Sequence, residues 1–577
     1  MCENMKRSAV SVHYAHGGNM RLSGLALALA GIFAGTAMGQ TPTVTGLLNN
    51  YSNTLPGLPN YGIAEGSIFV IYGTNFSSTQ SPLQSPPPAT LSGVTINVTV
   101  GTTVTHPLFY YLYPTQIAAV LPSATPVGTG TITVTTSAGT STGFPIQVVA
   151  SDFGLLTSNN GSGPAQGYDA SIDASNQYVL FNFSEAANPG DILELWGTGL
   201  GPVANDATGV AVAPTPQVFI GGIAATVQYA GRSGFTGLDQ INVVVPAGIT
   251  GCYVSVVVQT GTYVSNFGTL PVAASGRTCT DANSPLTASL LDQLFSTGSL
   301  SVGTVSVSQL TLPGETVDGV TVGGTTIDAG SASFSKITSA QYNQGAFAAA
   351  LGGFSSIGSC FVDFFTTTNT SITTLPLAFQ FTSLNAGPAI DINGPDGTLA
   401  MPLTTTNGVY NYSTSGLTDF IPAAGGAFTF SGTGGPDVGA FTTPTIQLAA
   451  PVTFTNASSI SPVTRSNGLT VNWTGGQTGS YVGITGFSLA AESTAANSYL
   501  VGFFSCRAPA SAGTFTVPPS VLLSVPVSSS ITEDGVTVSA GFLLLSNLSA
   551  PATFTATGID LGLVDAGVEE FLFVTYQ

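Results

Sequence analysis

Positive charge is the scarcest feature of this sequence: 577 residues carry eight Lys and Arg together, against 27 Asp and Glu. Three of the eight, Lys6, Arg7 and Arg21, lie near the N-terminus. Beyond residue 39 there remain Arg232, Arg277, Lys336, Arg465 and Arg507. Glu3 is the one acid before that point, so the rest of the chain has a net charge near −21. Binding to nucleic acid needs a cationic surface to neutralise phosphates, and this chain has none to offer. The same deficit argues against anionic membrane surfaces, and diffuse negative charge is read more simply as a solubility device. Histidine is nearly absent too, with His106 alone beyond residue 39. After that point no apolar run reaches membrane length, so no integral membrane segment is expected. Charged residues make up 6% of the chain, but 43% is hydrophobic, so the low charge does not signal disorder.

The first 39 residues have the layout of an export signal. Basic residues precede a short apolar run, Leu22 to Ala37, and Ala37-Met38-Gly39 is a small-x-small cleavage site. The expectation is cleavage after Gly39 and an extracellular, cell-surface or periplasmic protein. Residues 40–577 are too many for one hydrophobic core, so several domains are expected. Gly (71) and Pro (35) are abundant, and Ser, Thr and Val dominate over helix formers, the profile of short strands joined by tight turns.

The chain contains a repeat. Gly66-Ser-Ile-Phe-Val-Ile-Tyr-Gly-Thr-Asn-Phe76 aligns with Gly190-Asp-Ile-Leu-Glu-Leu-Trp-Gly-Thr-Gly-Leu200, 124 positions later. In the same register Gln116-Ile117 and Pro122 fall on Gln240-Ile241 and Pro246. Two matches at one offset imply a tandem module. Strands are predicted at Ser67–Tyr72, Val94–Val100, Leu108–Tyr113, Gln116–Leu121, Thr131–Thr136 and Phe144–Val149, a spacing that suits a two-sheet sandwich. Phe69 and Ile71 match Leu193 and Leu195, so that face is assigned to the core. Val70 matches Glu194, which assigns the other face to solvent or a loop. Tyr72 and Trp196 share that second face and are read as half-buried edge aromatics rather than a sugar-stacking platform. Gln116 and Gln240 are read as turn residues that satisfy backbone.

The repeat resembles the immunoglobulin-like IPT/TIG module, in which a Gly opens a strand that closes in a Gly-Thr-Asn-Phe type turn. It is more closely similar to the uncharacterised secreted family known as the Solibacter C-terminal domain. The likeness is carried by Gly66 to Phe76, Pro114-Thr-Gln-Ile117, Gly190 to Val203, Asp239 to Pro246 and Ser275-Gly-Arg-Thr-Cys279, and covers about residues 50 to 280. The resemblance implies a fold and an exported setting but no reaction. The module normally closes a protein, whereas here about 300 residues follow it.

The expected architecture is all-β: a leader (1–39), immunoglobulin-like repeats at 40–150 and 151–280, a β-rich domain at 281–450 and a sandwich-like domain at 451–577. Short helices are predicted at Leu286–Phe295 and Ala340–Leu351. Strands are predicted at Leu377–Phe381, Tyr410–Tyr412, Phe428–Phe430, Gly468–Trp473, Phe515–Val517 and Phe571–Tyr576, with a break near Pro451. Cys252, Cys279, Cys360 and Cys506 form an even set in an exported chain, which suggests two disulfides. Three pairings are open. Cys252–Cys279 is favoured because the two bracket the end of the second repeat, which leaves Cys360–Cys506.

Candidate chemistry is thin. Gly139-Thr-Ser141-Thr-Gly143 fits the nucleophile-elbow pattern, but that serine needs a strand-to-helix turn and a histidine, and His106 is expected at an exposed strand end. Ser333-Phe-Ser-Lys336 fits a serine–lysine pattern without the Lys-Thr-Gly element that chemistry uses. Asp391-Ile-Asn-Gly-Pro-Asp-Gly397 offers oxygen ligands but lacks the later Glu of a calcium loop, and is read as a hairpin turn. No catalytic, cofactor or metal residues are assigned. The expected function is a non-enzymatic interaction or adhesion module with a protein or glycan partner. The other readings are a carbohydrate-binding or carbohydrate-active protein using Asp or Glu of the C-terminal half, and a structural spacer.

Overall fold

The structure is a computed structural model. It describes residues 40–577 except 160, 172–178, 181, 282–283, 313–314, 318–319, 323, 340, 342–355, 368–381, 407–408, 418–419, 423–424, 449–451, 477–478, 492–497, 534–535 and 551. The leader, nearly all of the helix expected at Ala340–Leu351 and the strand expected at Leu377–Phe381 lie outside the described residues. The described residues are mostly β-strands, with a few short helices. No helix among the described residues is long and apolar enough to cross a membrane.

The first module is a two-sheet sandwich. One sheet places Ile68–Thr74 between Thr43–Asn49 and Gln116–Val120, with Leu108–Leu112 outside. The other aligns Phe144–Val149, Gly128–Thr136 and Val94–Val100. Val94–Val100 alternates strictly between buried and half-buried positions, the period-two pattern of a strand with one face inside. Phe69, Ile71 and Ile117 from the first sheet meet Ile96, Val98, Ile132 and Val134 from the second in one core.

The second module repeats this pairing. Ile71 faces Ile117 and Tyr72 faces Gln116 in the first copy; Leu195 faces Ile241 and Trp196 faces Gln240 in the second. The match seen in the letters is therefore a match in register. Both copies enter the repeated strand through a glycine at positive φ, +74° at Gly66 and +93° at Gly190, a conformation that side chains rarely adopt. Ile223–Arg232 pairs first with Gln217–Ile220 and then with Asp239–Val244, which joins the two layers of this sandwich into one continuous sheet.

The face assigned to solvent is not free. Val70, Ile68, Ala118 and Val120 are all buried, and Gly237 of the second module lies directly against Ile68 and Val120. The Ile68 N–H donates to Thr198 Oγ1 at 2.8 Å, and Thr198 Oγ1 donates to the Gly237 carbonyl at 2.6 Å. Repeat one thus uses its second face as an inter-module contact, which the copy-to-copy comparison could not reveal.

Beyond residue 280 the helix Ala288–Thr297 forms close to where it was predicted, capped by the Thr287 side chain. The expected division at residues 450/451 does not separate two sheets. One 15-stranded sheet runs Cys360–Thr367, Tyr499–Pro509, Tyr481–Ala491, Gly541–Leu548, Leu561–Val574, Ser299–Leu312, Thr325–Thr338, Val409–Leu417 and onward, so it takes strands from both sides of that break. Ser299–Leu312 pairs in parallel with Leu561–Val574, a contact between the two ends of this region. One face of the sheet is apolar. Val482, Ile484, Phe504, Leu543 and Leu545 pack under Val471, Trp473 and Leu522 in one core. Val305, Val307, Val564 and Ala566 pack with Ile390, Ile392 and Phe430 in another.

Candidate functional site

The motifs singled out by sequence do not assemble into a site. Ser141 is buried, its Oγ accepts from the Val134 N–H at 3.0 Å, and the strand Phe144–Val149 follows it rather than a helix. His106 is exposed, with Nδ1 2.8 Å from Asn97 Oδ1. Ser333 and Lys336 lie on the strand Thr325–Thr338, which places no active-site turn around them. Asp391–Gly397 forms the hairpin expected of it: Gly394 faces Gly397, and Thr398 Oγ1 donates to Asn393 Oδ1 at 2.7 Å. Trp196 is buried, edge-on to Tyr168 with ring centroids 6.1 Å apart, and Tyr72 is half-buried. Gln116 and Gln240 depart from expectation. They sit within strands and donate to side chains, Tyr111 Oη at 2.7 Å and Asn242 Oδ1 at 2.8 Å. The cysteines close as Cys252–Cys279 and Cys360–Cys506, the latter between directly opposed residues of neighbouring strands.

The chemistry gathers elsewhere, on the face of the large sheet opposite the two cores of Val482 and Val305, between an apolar cluster with Leu300, Val302, Leu561 and Leu563 and another with Leu489, Val501 and Phe542. Strand alternation puts Ser306 and Ser308, Gly483 and Thr485, Ser505 and Arg507, Ser546, and Asp565, Gly567 and Glu569 on this one face. They line a cavity of about 270 Å³. Hydroxyls dominate its walls. Ser306 and Ser331 share a hydrogen bond of 2.8 Å, and Thr485 Oγ1 donates to Ser505 Oγ at 3.1 Å. Each hydroxyl carries two acceptor lone pairs and one proton, so these bonds leave acceptor capacity facing the cavity.

Arg507 is 4% exposed, and its guanidinium carbon lies 3.8 Å from the centroid of the Tyr481 ring, a cation–π contact made in a desolvated setting. In its row across the sheet Arg507 faces Gly483, Gly483 faces Ser546 and Ser546 faces Glu569. Small side chains between the two charges keep the middle of the row open.

Asp565 and Glu569 have no hydrogen-bond or ion-pair partner among the described residues. Burial pushes the Asp565 carboxyl up to about 6, and the Arg507 charge holds it from rising further. Burial pushes Glu569 up to about 7, and the neighbouring Asp565 charge adds to the rise. Perturbed carboxyls lining one cavity make it the candidate site. On the same face, beyond the hydroxyls, Asp363, Phe503, Phe487, Phe542 and Phe573 form a cross-strand row in which Phe487 and Phe503 stack at 5.7 Å. Burial pushes Asp363 up to about 7, against a hydrogen bond from the Phe364 N–H at 2.8 Å.

Sequence reasoning missed Arg507, Asp565 and Glu569. A signal was present in the alternation of Leu561-Gly-Leu-Val-Asp-Ala-Gly-Val-Glu, where both acids share one parity with Gly567 between them. What it did not carry was the identity of the neighbouring strands.

No family model matches the sequence, and no curated protein matches it. Among solved structures, SGBP-B of the mixed-linkage glucan utilization locus of Bacteroides ovatus, in complex with a mixed-linkage heptasaccharide, is 10% identical. That alignment covers 83% of this chain and 98% of the other with a TM-score of 0.12. SGBP-B from a complex xyloglucan utilization locus in Bacteroides uniformis is 12% identical over 65% of this chain and 86% of its own, with a TM-score of 0.15. The ICAM-5 D1–D4 ectodomain fragment is 9% identical over 93% of this chain and all of its own, with a TM-score of 0.11. Superpositions of this quality carry no argument about function, so the site has to be read from its own residues.

Proposed function

We propose that this is an exported, non-catalytic binding protein, and that the hydroxyl-lined trough on its C-terminal sheet holds a polyhydroxylated ligand, a glycan. The single observation behind this reading is the composition of that cavity: Ser and Thr hydroxyls on five strands, with one guanidinium and two carboxyls, in a polar stretch between two apolar clusters of the same sheet face. Sugars are recognised by converging groups of this kind, each able to accept from or donate to a ring hydroxyl. Export is supported by the leader pattern and by two closed disulfides. The shared register of the duplicated strands supports grouping the two N-terminal modules with the IPT/TIG-type domains they resemble. On this reading they act as the stalk that presents the trough.

Binding of the full chain to a glycan array, followed by a reducing-sugar release assay on each hit, tests the reading. Binding without turnover is expected, and Ser308→Trp, which fills the space beside Gly567, should abolish it. An array with no hit would remove the glycan reading. Turnover lost on substitution of Asp565 or Glu569 would make the protein a hydrolase instead.

A further inference from the structure

We infer that the trough takes one terminal sugar residue, and so reads the ends of glycan chains rather than their interior; the inference rests on the glycan reading above. The length of the polar band along the strands is the starting point. On Leu561–Val574 the band is bounded by Leu563 before Asp565 and by Phe571 after Glu569. On Tyr499–Pro509 it holds Ser505 and Arg507, with Phe503 next on the same face. On Tyr481–Ala491 it holds Gly483 and Thr485, with Phe487 next. Same-face neighbours on a strand are ~6.6 Å apart, so the band is one or two such steps long. Both ends are stopped. Leu563 shares a core with Leu291 and Leu294 of the helix Ala288–Thr297, and Phe571 packs against the cluster of Phe542. A chain lying along the strands would have to displace one of these cores.

Across the strands the band does not widen into a groove. Ser306 and Ser505 lie on strands that have three others between them. In a flat sheet those strands would stand ~19 Å apart. Yet both serines border one cavity of about 270 Å³, so the sheet curls around it. Phe361, on the edge strand Cys360–Thr367, completes the curl by packing against the cluster that holds Leu300 and Val302. The volume lies below the roughly 300–1,000 Å³ of pockets that enclose drug-sized ligands, which leaves room for one ring and part of the next. The walls are already set: Arg507 is stacked on Tyr481, and the Ser306–Ser331 and Thr485–Ser505 pairs hold hydroxyls at the rim of the space. An internal residue of a glycan carries a neighbour on two sides and needs two exits. A terminal residue needs one.

The test is titration calorimetry of the full chain with untethered linear gluco-, manno-, galacto- and xylo-oligosaccharides, one to six residues long. In whichever series binds, affinity should be complete by the disaccharide and change less than twofold up to the hexamer. Extending that disaccharide at one of its two ends, by a residue from a series that does not bind, should lower affinity at least tenfold. Extension at the other end should be tolerated. Thr485→Val keeps the side-chain shape and removes the hydroxyl, so it should weaken the disaccharide at least threefold with unchanged circular dichroism. Affinity that keeps rising to the hexamer, tolerance of extension at both ends, or parental affinity in Thr485→Val overturns the chain-end assignment while the glycan reading stands. No binding in any series, together with an empty glycan array, overturns both.

Discussion

Arg232 is fully buried and sits at the joint between the two N-terminal modules. It pairs with Asp239, reaches Asp206 at 3.2 Å and donates to the Gly201 carbonyl at 3.1 Å. Asp206 in turn accepts the Ser123 N–H of the first module at 3.0 Å, and Asp239 accepts the N–H groups of Gly199 and Leu200 at 2.8 Å each. Burial still pushes Asp239 up to about 6 despite the arginine. Removing the cation leaves that carboxyl stranded, so Arg232→Met should cost about 3–5 kcal/mol in urea unfolding. Ser123→Ala, which leaves the ion pairs in place, should cost about 1 kcal/mol. At the trough, Glu569 is raised from 4.5 to about 7, so between those values the folded chain holds a proton that the unfolded chain has released. Its favourable contribution is complete below about pH 4.5 and is lost as pH rises through 7. Glu569→Gln should flatten that part of the stability–pH profile. At pH 8 the variant should be more stable than the parent by about 1–2 kcal/mol, allowing for the partial exposure of the group.

At the scale of elements, the strand Leu561–Val574 shows why part of the site was legible and part was not. Its end was predicted from Phe571 to Tyr576, because consecutive aromatics and β-branched residues read as a strand. Its first half contains Gly562, Asp565, Gly567 and Glu569, residues of low strand propensity, and no strand was predicted there. The strand persists because both edges are paired, with Gly541–Leu548 on one side and Ser299–Leu312 on the other. Tertiary pairing here overrides local propensity. The disulfide Cys360–Cys506 acts on the same sheet, tying Cys360–Thr367 to Tyr499–Pro509 across a sequence separation of 146. Replacing both cysteines by serine should cost about 2–5 kcal/mol, read as a lower unfolding midpoint. The Cys252–Cys279 pair closes a separation of 27, and its removal should cost less because a shorter loop restricts the unfolded chain less.

Across the whole molecule, the units share cores rather than standing apart. Val257, Val264 and Phe267 of the second module pack with Val471 and Trp473, and Cys252, Tyr253 and Cys279 pack with Leu291, Leu300 and Leu561. Residues 281–450 depend on the C-terminal stretch for the parallel neighbour of Ser299–Leu312 and for Phe554, Val564 and Ala566 of their core. A fragment of 281–450 expressed alone should lack dispersed amide resonances, and co-expression with 451–577 should restore them. Independent folding of that fragment would contradict the single-sheet arrangement.

By itself the sequence determined the all-β character, the duplicated module with its inward face, and a cysteine set whose favoured pairing is the one formed. These follow from local physics: strand periodicity, turn residues and the recurrence of one pattern at a fixed offset. Tertiary structure alone decided that the second face of the first module is a contact, that strands from both sides of the break near residue 450 join one large sheet, and that Arg507, Asp565 and Glu569 share a cavity. Each depends on which strands become neighbours. That choice is made by burial summed over hundreds of residues, and no short window of sequence contains it.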